Sequence, residues 1–286
     1  MKEFRKIALF ADLTEMDELL LKFIKGYDKL FDFEELYLVH QIEVEALSPE
    51  LKEMLDEKNQ TLEGLIEEDI QSKIDEVFGP GKSTIKTYIH PRPDFSELVQ
   101  WLNKQKFDLV FLGKKKGLEG SGIFSSKLVR LLRTNLILVP ETARATITDV
   151  VVPIDFSDYS PKVLQSAEFI AQKTDAKLTP LHVLKIGIHY FPFVAGESQI
   201  QKSLEKEARS KFEKLKKKAK TDRELLTIRS FGKPIGNAIY NKARELNSDL
   251  IIISKKGKSD DEDLLIGSVA ENLIANDKDI SVMILQ

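Results

Sequence analysis

Gly257, nine intervening residues and then Gly267-Ser268-Val269-Ala270-Glu271 make the spacing in this chain with the clearest chemical meaning. The stretch follows an apolar run, Leu250-Ile251-Ile252-Ile253, and Gly267-Ser268 opens a segment with helical spacing. The first N–H groups of a helix lack partners inside it, and the helix dipole adds partial positive charge at that end. Phosphate suits such a place: glycine lets it approach the backbone, and a serine hydroxyl donates one further hydrogen bond. The same residues also fit a plainer arrangement, in which Ser268 is an N-cap behind a glycine. Lys255, Lys256 and Lys258 flank the first glycine; they could pair with phosphate oxygens or form an ordinary solvated run. Asp155 ends another apolar run, Val150-Val151-Val152-Pro153-Ile154, as a single carboxylate without an evident catalytic partner.

Other chemistries find no footing. The chain has no cysteine, which removes disulfides, zinc thiolates and thiol nucleophiles. The four histidines, His40, His90, His182 and His189, show no metal-ligand spacing. No Gly-x-Ser-x-Gly elbow and no His-Glu-x-x-His pair occurs. Gly79-Pro80-Gly81-Lys82-Ser83-Thr84 imitates the end of a P-loop, but Glu76 stands where that loop needs glycine, and the stretch follows a helical segment and opens a strand-like one. A turn is the better reading, as it is for Gly232-Lys233-Pro234-Ile235-Gly236. A net charge of −3 and a pI near 6.0 give no general attraction for nucleic acid or an anionic membrane. No leader-like or membrane-spanning run is visible, so a cytoplasmic location is expected.

The elements that must carry these residues are written twice. Asp12 returns as Asp155 (155 − 12 = 143), His40 as His182 (142), Asp108 as Asp249 (141), and Ser125-Ser126 as Gly267-Ser268 (142). Such a period is too long for a solenoid unit, and 286 residues suit two domains. We therefore expect domains over 1–141 and 148–286 joined by a short polar linker. Short apolar runs without period-2 alternation alternate with segments of helical spacing, the pattern of a parallel sheet covered on both faces. In the second half these runs are 150–154, 178–183, 226–229, 250–253 and 280–285; the proline at 180 predicts a peripheral strand. In the first half they are 7–10, 36–39, 84–89, 109–112 and 136–139, with helices near 19–30, 49–77, 95–104 and 127–132. Each domain is thus expected to be a five-stranded, Rossmann-like or flavodoxin-like α/β unit. Ligands of such sheets bind at the carboxyl ends of the strands, where Asp155, Val183 and Ser254-Gly257 stand.

At this point the chain resembles a tandem universal stress protein, of the adenine-nucleotide-binding α/β superfamily. The family signature is Gly, two residues, Gly, nine residues, Gly, then Ser or Thr; here Ser254, Lys255-Lys256, Gly257, nine residues and Gly267-Ser268 follow it except at Ser254. Val152-Pro153-Ile154-Asp155-Phe156-Ser157 resembles the family's first strand, and Leu181-His182-Val183 the end of its second. The resemblance implies a cytoplasmic stress-response protein with an ATP or AMP site formed by Asp155, Val183, Lys256, Gly257, Gly267, Ser268 and Val269. Mg²⁺ accompanying the phosphates, two domains packed as an internal pseudo-dimer, and further pairing of chains as a homodimer belong to the same expectation. So do unknown protein partners and an absence of nucleic-acid or membrane binding. Catalysis is not expected beyond slow ATP hydrolysis or self-phosphorylation.

The two copies differ at the signature. The first keeps Gly113 at the place of Ser254 but has Lys116 at Gly257 and Ser125 at Gly267, so it is expected to bind nucleotide weakly or not at all. A left-handed backbone at Ser254 would cost serine about 1 kcal/mol or more. The rival reading is a nucleotide-free scaffold, with partners met by surfaces such as the aromatic stretch 186–194. A nucleotidyl-transfer enzyme is disfavoured, because Asp155-Phe156-Ser157-Asp158 stands where that group carries Ser-Gly-Gly or His-x-Gly-His. The charged segment 197–220 is read as a solvated helix.

Overall fold

The computed structural model describes residues 4–27, 29–115, 121–144, 146–185, 197–230, 232–257, 265–276 and 279–286. The chain divides into two compact units, Lys2–Glu141 and Thr142–Gln286. The first contains β1 (Lys6–Phe10), α1 (Glu15–Gly26), β2 (Glu35–Gln41), α2 (Pro49–Glu57), α3 (Leu62–Phe78), β3 (Ile85–His90), α4 (Phe95–Gln105), β4 (Leu109–Lys114), α5 (Ser121–Leu131) and β5 (Asn135–Pro140). Its strands lie in the order β3-β2-β1-β4-β5, with neighbours parallel. The second contains β6 (Asp149–Pro153), α6 (Ser160–Thr174), β7 (Lys177–Leu184), α7 (Glu197–Ala219), β8 (Leu226–Arg229), α8 (Ile235–Glu245), β9 (Leu250–Ser254), α9 (Ser268–Asn276) and β10 (Ser281–Leu285). Here the order is β8-β7-β6-β9-β10, again parallel.

Successive residues of the inner strands are buried: Ile7, Ala8 and Leu9 in β1, and Val150, Val151 and Val152 in β6. A strand covered on both faces has no polar face, which is why the sequence shows no alternation. Asp108 and Asp249 recur because each secures the start of its unit's first strand. Asp108 Oδ2 accepts from the Arg5 and Lys6 amides at 3.1 and 2.9 Å; Asp249 Oδ2 accepts from the Thr148 and Asp149 amides at 2.8 and 3.2 Å. In both units strand order reverses at that first strand, β1 or β6, which opens a crevice at the carboxyl ends.

Several expectations need correction. The segment 49–77 is two helices, because Asn59 takes a left-handed backbone (φ 49°) and Thr61 starts α3 afresh, its hydroxyl accepting from the Gly64 amide at 3.0 Å. Helix α1 begins at Glu15 and ends at Gly26, earlier than 19–30, with Thr14 as its N-cap. Pro180 is not on a peripheral strand, since β7 lies between β6 and β8. Pairing with β8 begins only at Leu181↔Leu226, while Pro180 faces Val152 of β6, so its missing N–H interrupts no bond to β8. Among the described residues, no helix is long and apolar enough to cross a membrane.

Candidate functional site

The site is built on Asp155, one residue beyond the strand-end crevice floor at Ile154. Its Oδ1 accepts from the Ser157 amide at 2.9 Å, the Ser157 hydroxyl at 2.7 Å and the Ser160 hydroxyl at 2.8 Å. The turn that makes this possible holds Phe156 at φ 59°, and the first copy repeats it with Leu13 at φ 61°. Ser160 is the first residue of α6, Tyr159 precedes it without a side-chain cap, and the Ser160 hydroxyl is spent on Asp155.

The loop after β9 comes up to the other carboxylate oxygen. A Cβ placed on Gly257 would lie 2.9 Å from Asp155 Oδ2, so close approach of backbone to carboxylate is what requires glycine there. The loop ends are clamped together: the Lys255 amide donates to the Leu285 carbonyl at 2.7 Å, and the Gly267 amide donates to the Lys255 carbonyl at 2.8 Å. Gly267 N–H is therefore already used. The Glu271 amide bonds back to the Gly267 carbonyl at 3.0 Å, which leaves the amides of Ser268, Val269 and Ala270 as the first-turn donors without a helical partner. A Cβ on Gly267 would meet Lys255 O at 3.4 Å, an ordinary contact.

His182 closes the side toward β7. Its Nδ1 lies 2.7 Å from the Ile154 carbonyl, an acceptor only, so Nδ1 carries the proton. Burial pushes its imidazole below the ordinary histidine range, against the opposing pull of that hydrogen bond. Its ring packs against Phe156, centroids 4.7 Å apart. His40 makes the equivalent bond to the Ala11 carbonyl at 2.9 Å, so this pinning of adjacent strand ends belongs to both copies.

These parts surround one cavity of about 630 Å³. Asp155, Val183, Gly257, Gly267, Ser268 and Val269 all line it. Lys256 is not among the lining residues, nor is Lys255, which is buried. The Lys258 side of the loop and the stretch 186–194 lie outside the described residues. Two other lysines line the cavity instead, Lys185 and Lys211, the latter paired with Glu207 at 2.5 Å. Sequence reasoning took α7 for a solvated helix, yet Leu204, Glu207, Ala208 and Lys211 form one wall. The spacing of Leu204, Ala208, Phe212, Leu215 and Ala219 was the available signal, hidden by the density of charge around it.

Ser254 ends β9 in register with Leu285 and is not among the residues with left-handed backbone. The strain expected of serine at this position does not arise. Gly113, its counterpart, is needed for packing: a Cβ there would come within 2.5 Å of Met16 Cγ. In the second unit the residue matching Met16 is Tyr159 (offset 143), which is exposed, so that constraint is missing.

A doubly wound parallel α/β unit with a helix N-terminus and an acidic strand end facing one crevice has the architecture whose ligands bind at the carboxyl ends of the strands. The model of the universal stress protein family matches residues 146–285. A universal stress protein of Methanocaldococcus jannaschii is 32% identical over 44% of this chain and 75% of its own. The universal stress protein YxiE of Bacillus subtilis is 31% identical over 43% of this chain and 89% of its own. The chain belongs to the universal stress protein family. The crystal structure of a universal stress protein from Archaeoglobus fulgidus superposes with a TM-score of 0.63 at 17% identity, over 99% of this chain and 97% of that one, a likeness of fold.

Proposed function

We propose that the second unit binds ATP or AMP in the cavity at the end of β6, and that nucleotide acts there as a regulatory ligand in a cytoplasmic stress response. The observation that carries this is the convergence of Asp155, Val183, Gly257, Gly267, Ser268 and Val269, from four separate segments, on one cavity. The volume is of the size that suits a small ligand. Charge orients the nucleotide: the first-turn amides of α9 and the Ser268 hydroxyl receive phosphate, while Asp155 and Glu207 repel it and face the donors of ribose and base. Lys211, paired with Glu207, balances the charge of that wall, and Lys185 is the further cation lining the cavity, which Lys256 does not line. Mg²⁺ would travel with the ATP phosphates. Asp155 Oδ1 already accepts three hydrogen bonds, which suits a fixed acceptor better than a base, so turnover is no more than slow. A tandem pair of such domains, arranged as in the family's homodimers, is part of the same reading and rests on the sequence repeat.

The test is to denature freshly purified protein and identify any released nucleotide by mass spectrometry, beside a Gly267→Glu variant that blocks the helix N-terminus with bulk and negative charge. ATP or AMP from the native protein, absent from the variant, is the expected result. Nothing released, followed by no heat on titration with ATP and Mg²⁺, would sink the nucleotide reading in favour of a scaffold.

A further inference from the structure

In the first unit the strand-end carboxylate is paired with a cation of its own chain. Asp12 Oδ1 accepts from the Thr14 amide at 3.1 Å and the Thr14 hydroxyl at 2.5 Å, as Asp155 does from Ser157. Its Oδ2, however, holds the Lys115 ammonium at 2.6 Å, and that lysine side chain is only 10% exposed. By the offset of 141 that relates Asp108 to Asp249, Lys115 matches Lys256 and Lys116 matches Gly257. Where the second unit brings glycine backbone to its carboxylate, the first brings a cation.

The neighbouring parts agree. Helix α5 starts at Ser121, so Ser125 and Ser126 lie inside the helix rather than at its N-terminus, and the alignment with Gly267-Ser268 does not carry over to the helix start. Phe124 packs on Phe10 at the end of β1 (4.7 Å) and on Phe95 at the start of α4 (5.2 Å). Asp12 is tied from behind as well, because its amide donates to Asp17 Oδ1 at 2.9 Å, and Asp17 is buried beside Lys73 at 3.2 Å.

We infer that Lys115 is a built-in ammonium ligand of the Asp12 carboxylate, so that the first unit is occupied by its own chain and takes no external nucleotide. The class of external ligand that fits this place is a primary alkylammonium, and only once the lysine side chain is removed. The distinction goes beyond the nucleotide reading of the second unit and does not depend on it.

The experiment uses the full chain with Lys115→Ala and Lys115→Met, followed by scanning calorimetry. Asp12 is 41% exposed, so Lys115→Ala is expected to lower the unfolding midpoint by about 2–4 °C. Added n-propylammonium should raise it again, while tetramethylammonium at equal ionic strength should not. The native protein and Lys115→Met, whose stem fills the space without charge, should respond to neither. An unchanged midpoint in Lys115→Ala, or equal rescue by both ions, would overturn the inference.

Discussion

Replacing Gly257 by alanine tests the contact on which the candidate site depends. The new Cβ would stand 2.9 Å from Asp155 Oδ2, a separation that real Cβ atoms do not hold. The carboxylate cannot simply rotate away, because Oδ1 is fixed by the Ser157 amide and by the hydroxyls of Ser157 and Ser160. Either the loop retreats or one of those bonds lengthens. Losing one hydrogen bond to a charged acceptor costs about 1.5–3 kcal/mol, and forcing a methyl into a packed site costs about 1–3 kcal/mol. We expect Gly257→Ala to destabilise the second unit by about 2 kcal/mol and to weaken ATP binding by at least about 10-fold. Gly267→Ala is the internal control. Its Cβ meets Lys255 O at 3.4 Å, and a stability change within about 0.5 kcal/mol is expected. Urea unfolding followed by far-ultraviolet circular dichroism reads both. Equal effects of the two substitutions, or a neutral Gly257→Ala, would refute the claim that Gly257 is required by the approach to Asp155.

Two further predictions concern ionisable groups. Lys73→Met leaves Asp17, which is 1% exposed, without its cation and should destabilise the first unit by about 2–3 kcal/mol in urea unfolding; a loss under about 0.5 kcal/mol would contradict the pairing. His182 has a lowered pKa in the folded protein because of burial. As pH falls through about 6.5 the unfolded chain takes up a proton that the folded chain accepts only at lower pH, so its contribution is complete above that value and is lost in the interval beneath it. Denaturation midpoints between pH 7.5 and 5 should fall more steeply for the native protein than for His182→Gln, and parallel curves would count against it.

The strands were legible because each is a short apolar run bounded by polar residues, and burial on both faces leaves no other option for Val150-Val151-Val152 or Leu250-Ile251-Ile252-Ile253. Helix limits were less so. The break at 58–61 depends on a left-handed Asn59, and α5 starts at Ser121, ahead of the apolar spacing that marked 127–132. The Gly257 and Gly267-Ser268 spacing marked residues that line one cavity with Asp155 and Val183. What the sequence could not disclose is contact between residues 102 positions apart: Asp155 against Gly257 needs the fold to bring β6 and β9 side by side. The same holds for Lys115 and Asp12, where a lysine among lysines gives no hint of which one turns inward.

One aromatic pair has a practical consequence. Trp101, the only tryptophan in the chain, lies in the first unit, stacked on Tyr88 with ring centroids 3.6 Å apart and planes 4° from parallel. Intrinsic emission is therefore a local thermometer for the outer edge of one unit, around β3 and α4. A nucleotide entering the cavity at β6 meets no indole, so a flat emission trace is the expected accompaniment of binding there, and a denaturation curve drawn from emission records the first unit. Placing a tryptophan at Phe156, against His182, would give the second unit a voice of its own in the same instrument.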